Sequence, residues 1–222
     1  MDKKTINKRQ MSQLISYTKD FLGFSYDLIM DNAAHALISN IDLKRRETFA
    51  FVCGSGFKGH MSLKAARILL SKGKKVLIFL VVSQDDLDKS FIDDLNIIRK
   101  LDGEIIELVT IGDLEDFSYN LNRVNTVIDA IMDIDYNDYF LGSFDYIIET
   151  INRSRIYTIS IDNPSGLDAD TGDVNTVCIE ADLIISQQFL KEGLKKTNRL
   201  IGTNVVIQDI GIPVKAIRKI IN

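Results

Sequence analysis

A chain of 222 residues, 45% hydrophobic and 26% charged, can build one large α/β domain, and nothing in its composition divides it in two. With 27 Lys and Arg against 31 Asp and Glu, the formal net charge is −4 and the isoelectric point about 5.3, which argues against nucleic acid as a partner. The longest apolar run, VLIFLVV at 76–82, has the length of a strand and is too short for a membrane span. Cys53 and Cys178 fit no metal spacing and read as reduced thiols of a cytoplasmic protein. The polar opening MDKKTINKRQ leads into no apolar segment, so no signal peptide is expected.

Helical spacing comes first along the chain. Met11, Leu14, Ile15 and Thr18 form one face, and Leu28, Ile29, Asn32, Ala33, Ala36 and Leu37 form a second. The texture then changes to short apolar runs, which predict strands near 48–53, 75–82, 105–110, 126–132, 156–161, 182–187 and 204–209. Amphipathic stretches near 60–72, 86–100, 114–122 and 142–153 predict helices between the first five. Continuous apolar strands alternating with helices indicate a mostly parallel sheet covered on both faces. The expectation is a Rossmann-like, three-layer α/β/α fold, one domain over 1–222, with 1–42 as a helical extension packed on it. The last two strands lack a clear helix between them and read as an antiparallel or irregular edge.

Ligands in such sheets sit beyond the carboxyl ends of the strands. Three segments there stand out. In the turn after the first strand, Gly54, Gly56 and Gly59 satisfy G-x-G-x-x-G, with Asp85 near the end of the second strand as a candidate ribose acid. These glycines read equally well as a tight turn with positive φ. Asp129 and Asp162 follow apolar residues at two strand ends, where carboxylates are costly unless they bind a ligand or cation or cap a turn. Pro164, one of two prolines, stops the strand that carries Asp162. His60, at the start of the first crossover helix, reads more readily as solvent-exposed than as an acid–base group.

Seven segments carry a resemblance in one order. They are LIMDNAAHAL (28–37), CGSGFKGHMSLKAARILLSKGKKV (53–76), VIDAIM (127–132), ISIDNPSGLDADTG (159–172), ADLIIS (181–186), LKEGL (190–194) and DIGIP (209–213). The order resembles the YjeF N-terminal domain family, whose enzymes are NAD(P)H-hydrate epimerases. The resemblance implies an often dimeric domain that interconverts the R and S forms of hydrated NADH or NADPH for a separate dehydratase. It also implies a site organised by potassium. By position, Asp129 and Ser165 match potassium ligands, Asp162 matches a catalytic acid that touches substrate, and Gly56 and Gly59 match the loop that receives the dinucleotide.

The departures fall on that same site. Where the family loop runs G-N-N-G-G-D-G, residues 56–62 are Gly-Phe-Lys-Gly-His-Met-Ser, and Asp133, Ile134 and Asp135 replace a Gly-Thr-Gly segment. Phe57 and His60 add bulk, Asp133 and Asp135 add negative charge beside a pyrophosphate, and Lys58 stands where an asparagine would ligate potassium. The ligand-contacting set expected from this reading is Gly54, Gly56, Lys58, Gly59, His60, Asp133 and Asp162. Lys58 is expected to reach Asp129 and Ser165 as a tethered cation in place of potassium. The expectation is thus a divergent member, its epimerase activity impaired or redirected to a nucleotide-like ligand or a binding role. The alternatives are a competent epimerase and an NAD-dependent oxidoreductase.

Overall fold

The computed structural model describes residues 5–134, 143–174, 176–198 and 202–221. Its centre is a seven-stranded sheet in which every pairing is parallel. Numbered in chain order, with the short arm strand β1 (Thr5–Ile6) first, the sheet contains β2 (Thr48–Cys53), β3 (Lys75–Leu80), β4 (Glu104–Glu107), β5 (Thr126–Ala130), β6 (Tyr157–Ile161), β7 (Leu183–Gln187) and β9 (Asn204–Gln208). They lie in the order β4-β3-β2-β5-β6-β7-β9. The chain order reverses at β2–β5, so the ends of β2, β5, β6 and β7 open side by side onto one crevice.

The helices form the outer layers. They are α1 (Lys8–Ser16), α2 (Tyr26–Ser39), α3 (Phe57–Ser71), α4 (Lys89–Lys100), α5 (Ile111–Leu121), α6 (Ser143–Ser154), α7 (Glu192–Lys196) and α8 (Val214–Ile220). Alternate residues of each strand serve the two faces. Phe49, Phe51, Ile78, Ile128 and Ile159 pack with α1 to α4 and α8, whereas Ala50, Val52, Phe79, Val127 and Ile184 pack with α5 and α6. Each expected strand of the sheet appears within a few residues of its place. No helix among the described residues is long and apolar enough to cross a membrane.

Two features differ from the expectation. The last two sheet strands are parallel to β6, not antiparallel or irregular. Among the described residues the crossover from β6 to β7 has no helix; its loop does that work by burying Leu167, Ile179 and Ala181 against the α5–α6 side. A second, two-stranded sheet pairs β1 with β8 (Leu190–Lys191), setting Ile6 opposite Lys191. Asn7 then caps α1 in a reciprocal capping box with Gln10. A π-helical turn, Tyr17–Phe21, continues α1. The arm β1 and α1 therefore reach the sheet ends from outside.

Candidate active site

Asp129, the fourth residue of β5, has no exposed surface, and both of its oxygens are filled. Oδ2 accepts from Ser160 Oγ at 2.7 Å and from the Ser165 amide at 2.9 Å; Oδ1 accepts from Ser165 Oγ at 2.5 Å and the Ile131 amide at 3.3 Å. Ser165 Oγ in turn accepts from the Met132 amide at 3.0 Å. Asp129 thus binds the end of β5 to β6 and to the loop that follows β6. Four donors saturate a carboxylate, so Asp129 and Ser165, the pair matched to potassium, do not fit a bound cation in this arrangement. Among the described residues no three His, Cys, Asp or Glu side chains are grouped to hold a metal.

Asp162, one residue past β6, is different. Its backbone is left-handed, at φ 63°, a strained region that Asp tolerates better than most residues. Its amide still donates to Ile185 O at 2.9 Å, so the strain turns the side chain without breaking the sheet. Asp162 Oδ1 accepts from the Gln187 amide at 2.8 Å and from the Lys191 ammonium. Among the described residues, none donates a hydrogen bond to Oδ2. Asp162 lines a cavity of about 420 Å³ between α1 and the strand ends, with Gln187, Lys58 and Asp133 also around it. Met11 and Ile15 of α1 form an apolar wall, and Lys8 and Lys19 bring positive charge. Phe57 stands edge-on to Tyr26, ring centroids 5.4 Å apart, so its bulk lines the cavity with an aromatic surface.

The glycine turn has a different basis from the one expected. None of Gly54, Gly56 and Gly59 has positive φ. A Cβ on Gly56 would lie 1.6 Å from Asp133 Oδ2, and one on Gly59 would lie 1.9 Å from Gly54 O. Close approach fixes these residues. Asp133 Oδ1 accepts from the Lys58 amide at 2.8 Å, so the protein's own carboxylate sits at the α3 N-terminus, where such turns receive phosphate.

Lys58 is buried, but its ammonium reaches neither Asp129 nor Ser165; it donates to the Asn163 carbonyl at 2.5 Å. The geometry corrects the expected partners and keeps a cation at the site. His60 is buried, not solvent-exposed. Its ring stands edge-on to Phe91 and Nε2 lies 3.2 Å from Asp88, and it does not line the cavity. Asp85 is exposed on a 3-10 turn, and Asp31 pairs with Arg67 across α2 and α3 at 3.1 Å, away from the cavity. Cys53 lies against Ser62 Oγ at 2.9 Å, and burial pushes its thiol up to about 12, so it is no nucleophile. Asp135 lies outside the described residues.

The group that sequence reasoning missed is Lys191. It sits inside the quoted LKEGL, but its charge does not distinguish it from Lys195 and Lys196 nearby. It has no exposed surface, and burial holds its pKa below the ordinary lysine value despite Asp162.

With the geometry in place, the comparisons with known proteins decide the family. The family described as YjeF-related protein N-terminus matches residues 27–193. The chain belongs to this family. It is 38% identical to an NAD(P)H-hydrate epimerase of Anaerococcus prevotii, over 97% of this chain and 99% of that one. It is 29% identical to a bifunctional NAD(P)H-hydrate repair enzyme of Moorella thermoacetica, over 86% of this chain, which spans 37% of that protein. The crystal structure of yeast ynu0, YNL200c, superposes with a TM-score of 0.82 at 17% identity, over 98% of this chain and 93% of the yeast chain, and so shares the family's fold.

Proposed function

We propose that this chain is a competent NAD(P)H-hydrate epimerase in which a buried lysine charge replaces a bound potassium ion. The observation that carries the reading is Asp162: strained, anchored through one oxygen and presenting the other to an aromatic and basic cavity. The 38% identity to an epimerase along the whole chain supports it. In a hydrated dihydronicotinamide the hydroxyl-bearing carbon adjoins the ring nitrogen. Loss of that hydroxyl, with a proton, as water leaves a planar cation; water returns to the opposite face and gives up a proton, with no net change in atoms. Asp162 Oδ2 delivers and recovers that proton, and its charge stabilises the cation. A separate dehydratase would then consume the epimer.

The altered loop fits this reading better than an impaired one. Phe57 has an aromatic partner, Asp133 caps α3, and Lys58 is buried and bonded, so each change has a defined place. Asp162 shares its site with two buried ammonium groups, Lys191, which bonds it, and Lys58, which lines the same cavity. That charge balance leaves no demand for a further cation. The oxidoreductase alternative loses its candidate ribose acid, because Asp85 is exposed and lies outside the cavity.

The test is epimerisation of purified R-NADHX with potassium present or replaced by tetramethylammonium, for the wild type and Lys58→Asn. Turnover by the wild type is expected in both media, whereas Lys58→Asn is expected to need potassium. A wild type that requires potassium overturns the lysine's role. Silence of the wild type, with no thermal shift from the dinucleotide, overturns the activity itself.

A further inference from the structure

Lys191 has a geometry that a solvating surface lysine does not have. Its side chain is wholly buried, and its three N–H bonds have three acceptors: Asp162 Oδ1, Gln187 O at 3.0 Å and Phe189 O at 3.0 Å. A buried ammonium is expensive, and a turn carbonyl is equally well satisfied by an amide or by water. The turn itself is tight: Gln188 is left-handed at φ 60°, and the Phe189 amide donates to Gln187 O at 2.6 Å, which folds the chain back to bring Lys191 beneath Asp162.

The consequence lies at the carboxylate. Lys191 and the Gln187 amide both bind Oδ1, so rotation of the carboxyl group would break two bonds, one of them charge-assisted. Oδ2 is the oxygen left for the cavity. The same lysine is tied to the cavity wall. Ile6 of β1 pairs with Lys191 in register, and α1, which begins two residues later, supplies Met11 and Ile15 to the cavity. Lys191 therefore joins the face where a substrate sits to the oxygen that meets it.

Resting on the epimerase reading above, we infer that Lys191 is a positioning residue of the reaction: it locks Asp162 so that Oδ2 alone meets the substrate. The charged groups acting on it are Asp162, from the end of β6, and Lys58, from α3. Gln187 and Phe189 present only backbone carbonyls to it. Burial lowers the lysine's pKa and Lys58 adds to that effect, so the lock opens on the alkaline side.

The experiment is steady-state epimerisation by the wild type, Lys191→Met and Lys191→Arg across pH, with thermal melts alongside. Lys191→Met is expected to lower kcat by about 30–100-fold with KM within about threefold, because misplacement of a reacting group acts on the chemical step. Lys191→Arg, charged at every accessible pH, is expected to recover activity in part and to lose the alkaline decline of the wild type. A folded Lys191→Met protein with kcat within about threefold of wild type overturns the inference, as does a loss in which kcat and KM fail in proportion. Should Lys191→Met not fold, Lys191→Arg decides: an alkaline limb identical to the wild type's overturns it. Should neither fold, a wild-type kcat that stays flat to the ordinary lysine pKa of about 10.4 overturns it. A wild type with no turnover at all defeats the activity reading instead, and is recognised by its silence at every pH.

Discussion

Asp129 and Asp162 occupy the ends of adjacent parallel strands, both almost wholly buried, and the protein treats them in opposite ways. Asp129 is caged by four neutral donors, two hydroxyls and two amides, all from the protein. Asp162 is held on one oxygen by an amide and an ammonium, and no described residue bonds the other. A saturated carboxylate organises backbone; a half-saturated one at a cavity keeps an oxygen for a ligand. Burial does not separate them, since both are buried. The number and kind of donors do.

Substitution is expected to separate them further. Asp162→Asn keeps an acceptor for Lys191 but removes the proton acceptor, and turnover should fall by roughly 10²–10⁴-fold in a protein that still folds. Asp129→Asn leaves at least one buried donor without an acceptor, a loss of about 1–3 kcal/mol, or roughly 2–12 °C in Tm for a domain of this size. Its turnover per folded molecule should stay within about tenfold of wild type, read by melts and active-protein-corrected kinetics. If folded Asp129→Asn were as inactive as Asp162→Asn, the contrast between the two carboxylates would collapse.

The smallest expected effect sharpens the contrast at the cavity wall. Lys8, at the start of α1, pairs with Asp168 at 2.8 Å, and its amide bonds to Asp170. Partial burial works against the Asp168 charge, but Lys8 and the Thr171 and Asp170 amides outweigh it and hold the carboxyl at about 2. A depressed carboxylate contributes stability above its ordinary value of 3.8, and that contribution is lost as pH falls toward 2. Between these values, hydrogen-exchange protection of α1, corrected for intrinsic rates, should fall relative to β5, and Asp168→Asn should remove the difference. Equal loss in α1 and β5 would mean that the wall is no looser than the sheet.

Most of the sheet was legible because buried parallel strands are apolar throughout, and FAFVC or KVLIFL leaves little choice. Asp129 and Asp162 were legible for the opposite reason, as charges at the ends of such runs. What escaped the sequence depends on partners far along the chain. Thr5, Ile6, Leu190 and Lys191 make strands of two residues each, too short for any period to register. His60 carries no local sign that Phe91 and Asp88 will enclose it. The glycines were recognised but their cause was not: Gly56 is required by Asp133, a residue of a different strand end. The parallel edge escaped because, among the described residues, a loop took the place of the helix that normally marks a crossover.

The pairing of Thr5 with Leu190 also bears on how the protein is made. A ribosome adds about 5–20 residues per second, so the arm that begins the cavity wall waits on the order of ten seconds or more for its partner strand. Closing so long a loop is slow, and its entropy is recovered only when the contact forms. The sheet around β2, β3 and β5 can assemble from chain already made, whereas the wall, Lys191 and the carboxylate it holds come together only near the end of synthesis. A nascent chain that stops short of residue 190 would therefore possess most of the sheet but neither the partner strand of the arm nor Lys191.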